Sequence, residues 1–403
     1  MTAAARRSDV VELTERLVAA PSPNPPGDER MAAGVVTEIC TELGLPAPRV
    51  LAAEPSRPNL IVDLDFGAGG RQLALSGHLD TKPVGDAVWS SDPFVGRVND
   101  DYLYGLGACD MKGAVAAMLL AAAELAADGP TAGRLSLVFT ADEEHGSAYG
   151  SRYLAESGAV RADAIVIGEP GGIDSDWDEL QTISRGIANF SIDVHGDQGH
   201  SSLSDSKGFV SATQECARLL VRFADRFHPS FNPSMSGLRP TVNAGVRIEG
   251  GVGFGVVPGK ASFAVDVRLL PGMDRPQLEA DLDRFLDRAR AERPGLRAKY
   301  RFEPAPRDWL PATEVPVDAP IVIAARAALE AVLGSAPPTG AFPGTTDACW
   351  LQGLAGIPTL PGLGPGLLER AHTADERVSL RGLRQAVDVY RTLAREFCEG
   401  EHQ

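Results

Sequence analysis

Basic residues are in short supply. The chain carries 38 Lys and Arg against 54 Asp and Glu, a formal net charge of −16 over 403 residues. Neutralising phosphates requires clustered Lys and Arg, so a nucleic-acid partner is not expected. Cysteine is equally sparse: Cys40, Cys109, Cys216, Cys349 and Cys398 lie far apart, and no CxxC pair occurs. That excludes a disulfide framework and a thiolate zinc site. Long apolar runs are missing too. The longest, Gly113 to Ala123, is too short to span a bilayer, so no membrane partner is expected. The first twenty residues, MTAAARRSDVVELTERLVAA, are interrupted by Asp9, Glu12, Glu15 and Arg16. They read as an amphipathic helix without the apolar centre of a signal peptide, which points to a cytoplasmic protein.

What is present is abundant apolar sequence, 44% of residues, dispersed over a length that usually needs two domains. The loop PSPNPPGDE (Pro21–Glu29) stops the first helix and reads as a rigid surface turn. A second helix is expected over Arg30–Leu43, with Gly44 as its cap. Short β-rich runs then alternate with helical stretches, as in an α/β sheet: Leu60–Leu64, Leu73–Ser76, Leu135–Thr140, Ala164–Ile167 and Ile357–Leu360. The helix Gly113–Ala127 is almost entirely Ala, Leu and Met, hence buried. From about Ile183 the pattern changes. Asn189–Gly196 and Ala261–Leu270 alternate like half-buried antiparallel strands, with amphipathic helices at Val210–Phe227 and Gln277–Ala291. The expected architecture is an α/β domain formed by residues 1–183 and 303–403, interrupted by a small α+β domain over residues 184–302.

Four acidic or histidine clusters directly follow expected strands or their turns: GHLD (Gly77–Asp80), DEEH (Asp142–His145), GEP (Gly168–Pro170) and AHTADE (Ala371–Glu376). In an open parallel sheet the carboxyl ends of the strands line one edge, where ligands bind. His78, Glu143, Glu144, Glu169 and His372 would meet there, joined by Asp110 from the loop before the buried helix. Each cluster alone is weak, since a lone Glu or His after a strand is commonly solvated or packed. Together, histidine and carboxylate without cysteine suit zinc, cobalt or manganese in a hydrolytic site. Six candidates exceed the needs of one tetrahedral ion. They match two ions sharing a carboxylate, with roughly 3.5–4 Å between metals.

The segments GHLDTKPVG, GLGACDMKG, TADEEHGS, IGEP and AHTADE resemble, in order and spacing, those of the di-zinc aminoacylase/carboxypeptidase family. That family includes acetylornithine deacetylase, succinyl-diaminopimelate desuccinylase and glutamate carboxypeptidase. The resemblance implies a zinc-peptidase-like, mixed but mainly parallel sheet with helices on both faces, and an inserted ferredoxin-like lid and dimerisation domain. It implies that His78 and Glu169 bind one metal, Glu144 and His372 the other, and that Asp110 bridges both. Asp80 would orient the His78 imidazole. Glu143 would be the general base toward a metal-activated water, returning the proton to the leaving amine.

In the inserted stretch, GDQGHSSLSDSKG resembles the family segment whose histidine crosses a dimer interface to polarise the scissile carbonyl, which makes His200 the candidate. A turn histidine is the alternative. Ser204 stands where proline is usual there, and Phe209-Val210 replace Asn-Ala. Arg268, in DVRLLPG, resembles a residue that clamps a substrate carboxylate, a strand-face salt bridge being the alternative. GTTDACW (Gly344–Trp350) resembles a substrate loop offering Gly344 and Thr345; a closely packed turn would explain it as well. Desuccinylases carry Arg-Arg-Gly where this chain has Ser184-Arg185-Gly186, and an Asn where it has Phe254-Gly255, which disfavours a diaminopimelate substrate. The expected partners are a small amide substrate with one free carboxylate, an N-acyl amino acid or dipeptide-like compound, and a second copy of the chain in a homodimer. A di-zinc aminopeptidase and an inert peptide-binding scaffold are the alternatives.

Overall fold

A computed structural model describes residues 9–232 and 237–400. The first eight residues of the expected N-terminal helix lie outside the described residues, and so does His402. The chain divides into two compact units, one made of residues 1–184 and 313–403 and the other of residues 185–312. The return crossing therefore lies ten residues beyond position 303. Trp309 and Leu310 still pair with Ala188 and Ile187 of the second unit, whereas Thr313 and Glu314 pair with Ser184 and Ile183 of the first.

The first unit is built on a six-stranded sheet. Its spatial order is Arg49–Leu51, Asn59–Gly67, Gly133–Thr140, Gln72–His78, Ala164–Ile167 and Thr359–Leu360. Gln72–His78 runs parallel to both neighbours, Gly133–Thr140 and Ala164–Ile167, and Thr359–Leu360 parallel to the latter. The two strands on the other flank join antiparallel, so the sheet is mixed and mainly parallel. Parallel strands buried on both faces need continuous apolar sequence, and LALS and AIVI supply it. The helix Gly113–Ala127 buries Gly, Ala, Val, Met and Leu side chains all round, as its stripe-free sequence requires. The helix Arg30–Leu43 ends at Gly44, whose φ of 72° is the left-handed cap conformation.

The second unit is a four-stranded antiparallel sheet with a fifth short pairing. Its order is Thr241–Gly250, Lys260–Leu269, Gly186–His195 and Arg297–Phe302. Helices Ala212–Arg226 and Arg275–Glu292 connect these strands in the β-α-β-β-α-β sequence of a ferredoxin-like unit. Thr241–Gly250 is the edge strand; its sequence alternates, with Val242, Ala244, Val246 and Ile248 apolar, yet it is exposed along most of its length. The core is aromatic: Phe223 stacks on Phe227 at 4.4 Å and meets Phe190, Phe263 and Phe285 edge-on. Among the described residues no helix is long and apolar enough to cross a membrane.

Candidate metal centre

The site lies in the first unit, at the carboxyl ends of its parallel strands, where such sheets bind ligands. His78 is the last residue of Gln72–His78; Glu169 comes two residues after Ala164–Ile167; Glu143 and Glu144 occupy a turn entered from Gly133–Thr140. The glycines beside them are there for space. A Cβ on Gly77 would meet Met111 Cε at 2.7 Å, and one on Gly168 would meet Met118 Cε at 2.5 Å and Ala114 Cβ at 2.8 Å. Asp110 comes from the loop before Gly113–Ala127. His372 comes from the far end of the chain, with φ of 58°, on a loop tied to its surroundings by Arg377–Ser379 pairing with Tyr102–Tyr104.

These side chains form two triads, His78–Asp110–Glu169 and Asp110–Glu144–His372, each with its ligand atoms within 4.8 Å of one another. Asp110 belongs to both, and its two oxygens divide the work. Oδ1 lies 2.9 Å from His78 Nε2, and Oδ2 lies 3.1 Å from His372 Nε2. His78 Nε2 is also 3.6 Å from Glu169 Oε1, and His372 Nε2 is 3.2 Å from Glu144 Oε1. Ligands about 2.0–2.1 Å from a tetrahedral ion stand roughly 3.3 Å apart, inside that spread.

The protonation chemistry tests the fit. His78 Nδ1 donates to the Asp80 carbonyl oxygen at 2.9 Å, which leaves the Nε2 lone pair aimed at two carboxylate oxygens. Such an arrangement is repulsive unless a cation or a proton lies between. Burial alone would lower the His78 pKa, yet Asp110 and Glu169 hold it well above its ordinary value. Likewise burial is overcome at His372, which Asp110 and Glu144 push up to about 10. Burial, reinforced by Asp110, raises Glu169 well above the usual carboxylate range. At Asp110 burial loses to the hydrogen bonds from both imidazoles, and its pKa falls. The donor set fits two divalent cations.

Neighbouring Glu143 and Glu144 are treated differently. Glu144 is held by His372 and by Lys82, whose Nζ lies 2.8 Å from Oε2 and donates to the Glu144 carbonyl at 2.6 Å. Its pKa is lowered, His372 outweighing burial and Asp110. Glu143 belongs to neither triad, and among the described residues nothing hydrogen-bonds its carboxylate. Burial, aided by Asp347 and Glu144, raises it well above the ordinary range. A half-buried carboxylate of raised basicity beside two candidate cation sites is what a general base requires.

Asp80 does more than expected, and does it otherwise. Its carboxylate stands 3.6 Å from His78 Nδ1, and the main-chain oxygen makes the bond to the imidazole. The carboxylate instead accepts the backbone N–H groups of Glu143 (3.2 Å) and Glu144 (3.1 Å). Burial, with help from Glu144 and Glu29, pushes its pKa up to about 7. Three contributors have no counterpart in the sequence reading. Lys82 lies inside GHLDTKPVG and could have been found there. Glu376, inside AHTADE, accepts the backbone N–H groups of Cys109 and Asp110 at 2.9 and 3.0 Å and so holds the bridging residue. Asp347, the Asp of GTTDACW, is buried and accepts the hydroxyls of Thr140 (2.9 Å), Ser147 and Ser151 (both 2.5 Å). It thereby ties its loop, with half-buried Gly344 and Thr345, to the Glu143 turn.

The remaining candidates belong to the second unit. His200 is exposed, and its Nδ1 faces Ser202 Oγ at 2.8 Å. The Arg268 fork is engaged by Asp266 through Nε at 2.9 Å and a terminal nitrogen at 3.1 Å, two residues away on the same strand face. Its sequence-level alternative, a strand-face salt bridge, is thus present.

Comparison with known proteins places the chain. Residues 74–396 match the model of peptidase family M20/M25/M40. The chain is 31% identical over 402 residues to a succinyl-diaminopimelate desuccinylase of Parvibaculum lavamentivorans, covering 97% of this chain and 96% of that protein. It is 33% identical over 349 residues to an acetylornithine deacetylase of Proteus mirabilis, covering 85% and 83%. Among solved structures, an M20 family metallo-carboxypeptidase from Sulfolobus solfataricus superposes with a TM-score of 0.77 at 17% identity, covering 96% of this chain and 99% of that one.

Proposed function

The chain belongs to peptidase family M20/M25/M40 and is a hydrolase of amide bonds, and on that premise we propose that it releases the amine from an N-acyl amino acid or dipeptide-like amide bearing one free carboxylate. The observation that carries the reading is the pair of triads sharing Asp110, with Glu143 beside them and outside both. The two relatives above are by name a deacetylase and a desuccinylase, which supports acyl removal. Zinc is the metal of choice for a histidine and carboxylate donor set, with cobalt or manganese as substitutes.

His78, Asp110 and Glu169 would hold one ion; Asp110, Glu144 and His372 the other. Bound there, the ions would polarise the scissile carbonyl and acidify a water at neutral pH. Glu143 takes the proton from the attacking water on its carboxylate and hands it to the departing nitrogen. Asp80 keeps the Glu143–Glu144 turn in register for that transfer, and Lys82 keeps Glu144 turned away from it. Arg268 is assigned to the substrate carboxylate, exchanging Asp266 for it, with Gly344 and Thr345 as polar contacts. His200 is assigned to the carbonyl oxygen of a substrate in a partner copy. The protein is assigned to the cytoplasm as a homodimer, and association through the second unit is supported by its apolar surface: Val246 and Ile248 on the edge strand are 60% and 62% exposed, and Val252 and Phe254 are more so.

The test is amine release from acetyl-, succinyl-, formyl- and aminoacyl-capped amino acids by the zinc- or cobalt-loaded protein, with Glu143→Ala as control. Release that disappears in the variant is the expected result. A peptide whose capped N-terminus abolishes cleavage, while its carboxylate is intact, would move the assignment to an aminopeptidase.

A further inference from the structure

The loop Pro21–Glu29, whose sequence reads as a surface turn, is buried where it matters. Ser22 and Glu29 have no exposed surface, and Asn24 has 2%. Backbone bonds lace it to the segment after His78: Asn24 N–H donates to the Thr81 carbonyl at 2.8 Å, and Thr81 N–H to the Ser22 carbonyl at 3.0 Å. The Ser22 hydroxyl donates to the Leu79 carbonyl at 2.6 Å. The strand that ends in a metal ligand therefore continues against this loop.

The loop's polar centre is the Asn24 amide. Its Nδ2 donates to Asp80 Oδ2 at 2.8 Å and to Asp142 Oδ1 at 3.0 Å. Both partners are carboxylates, so the nitrogen is the only end of the amide that can face them. Asp80 carries the backbone of Glu143 and Glu144. Asp142 is the residue just before them, in the left-handed conformation with φ of 67°, and its other oxygen accepts Tyr149 N–H at 3.2 Å. Arg57, 5% exposed, supplies the charge on the far side. It donates to Asp142 Oδ1 at 2.9 Å and doubly to Glu29 at 2.7 and 2.8 Å. Among the described residues no Arg or Lys side chain bonds Asp80 directly. Asn24 is the neutral donor that lets two buried carboxylates stand side by side.

From this geometry we infer that Asn24 is a positioning residue for the reaction. It locks Asp80 to Asp142 and thereby sets the Glu143–Glu144 turn, so that Glu143 is aimed at the attacking water while Glu144 faces its cation. The inference rests on the reading of Glu143 as the base. Without the amide, Asp80 and Asp142 face each other across a small void, and the turn yields first, because the strands behind it stay paired at His78 and Thr140. Asn24→Asp aggravates this by adding a third carboxylate to the pair.

The test uses the full chain with Asn24→Ala and Asn24→Asp, and Asp28→Ala as a control on the same loop, since Asp28 bonds only the exposed Arg30. Turnover is measured at saturating zinc on whichever acetyl- or succinyl-capped amino acid the native enzyme cleaves. The expected result for Asn24→Ala is kcat lower by about 10–100-fold with KM within about twofold, and a larger fall for Asn24→Asp. A second readout needs no metal: in the metal-free protein, the Glu143 and Glu144 amides should exchange hydrogen faster while Gln72–His78 stays protected. Native kcat together with native exchange at the turn overturns the inference, and so does an equal loss of protection throughout the sheet. If Asn24→Ala does not fold, Asn24→Ser, which keeps a donor on a shorter arm, is judged by the same split. Glu143→Gln separates the two levels. Full activity in that variant defeats the reading of the base, whereas an inactive Glu143→Gln beside a fully active Asn24→Ala defeats the role of Asn24 alone.

Discussion

The two units bury opposite kinds of matter. The first conceals charge: His78, Asp80, Asp110, Asp142, Glu169, Asp347 and Glu376 are all buried beneath or within its site. The second conceals aromatic rings, and its three buried carboxylates, Asp193, Glu215 and Asp281, each meet an arginine whose side chain is about half exposed. Buried carboxylates cost stability unless hydrogen-bonded or paired, so a unit that holds this many needs cations for a purpose other than folding. A ring cluster needs none. The candidate ligands and the candidate base lie in the first unit, whereas the second carries Arg268 and His200, the two residues proposed to touch substrate.

Several experiments can break that contrast. Stripping the protein with a chelator should reduce turnover by more than about 10³-fold, restored on adding zinc or cobalt; an amide hydrolase that keeps its rate after verified metal removal would contradict the assignment. Glu143→Gln should lower kcat by about 10²–10⁴-fold while metal content stays native, as read by elemental analysis beside the assay. Phe223→Ala removes the hub of the second unit's ring cluster and should cost about 3–5 kcal/mol of its stability by denaturant unfolding. Metal equivalents should not change with it, and a loss of metal would show that the units are not separable in this way. Arg268→Ala has the smallest expected effect, a rise in KM of about 10–100-fold confined to carboxylated substrates. An equal loss on uncharged amides would return Arg268 to its bond with Asp266.

The same contrast governs what could be read in advance. Strands buried on both faces and a helix apolar all round leave plain runs in the sequence, and most candidate ligands sit at strand ends, where residue order and position coincide. The edge strand Thr241–Gly250 carries the same alternation, at Val242, Ala244, Val246 and Ile248, although the fold leaves Val246 and Ile248 exposed. The loop Pro21–Glu29 reads as a surface turn because its prolines and polar residues describe one, whereas its burial depends on contacts with Leu79, Thr81 and Asp142, the last more than a hundred residues away. Asp80 lies where its motif predicts but bonds the imidazole through its carbonyl and not its carboxylate. Two residues of separation suggest a carboxylate reaching an imidazole, and only the fold reveals that the main-chain oxygen is nearer. Lys82 and Glu376 stood inside motifs already in view, yet nothing in a linear sequence says which carboxylate a lysine meets or which amides a glutamate accepts.

The central claim is that one carboxylate serves two cations, and metal stoichiometry tests it most directly. Metal-free native protein, Glu169→Ala and Asp110→Ala would each be titrated with zinc and the tightly held equivalents counted by native mass spectrometry. The account predicts two for the native chain, one for Glu169→Ala, whose His372 side is intact, and none held tightly by Asp110→Ala. Two tight equivalents in Asp110→Ala, or a single one in the native chain, would contradict it.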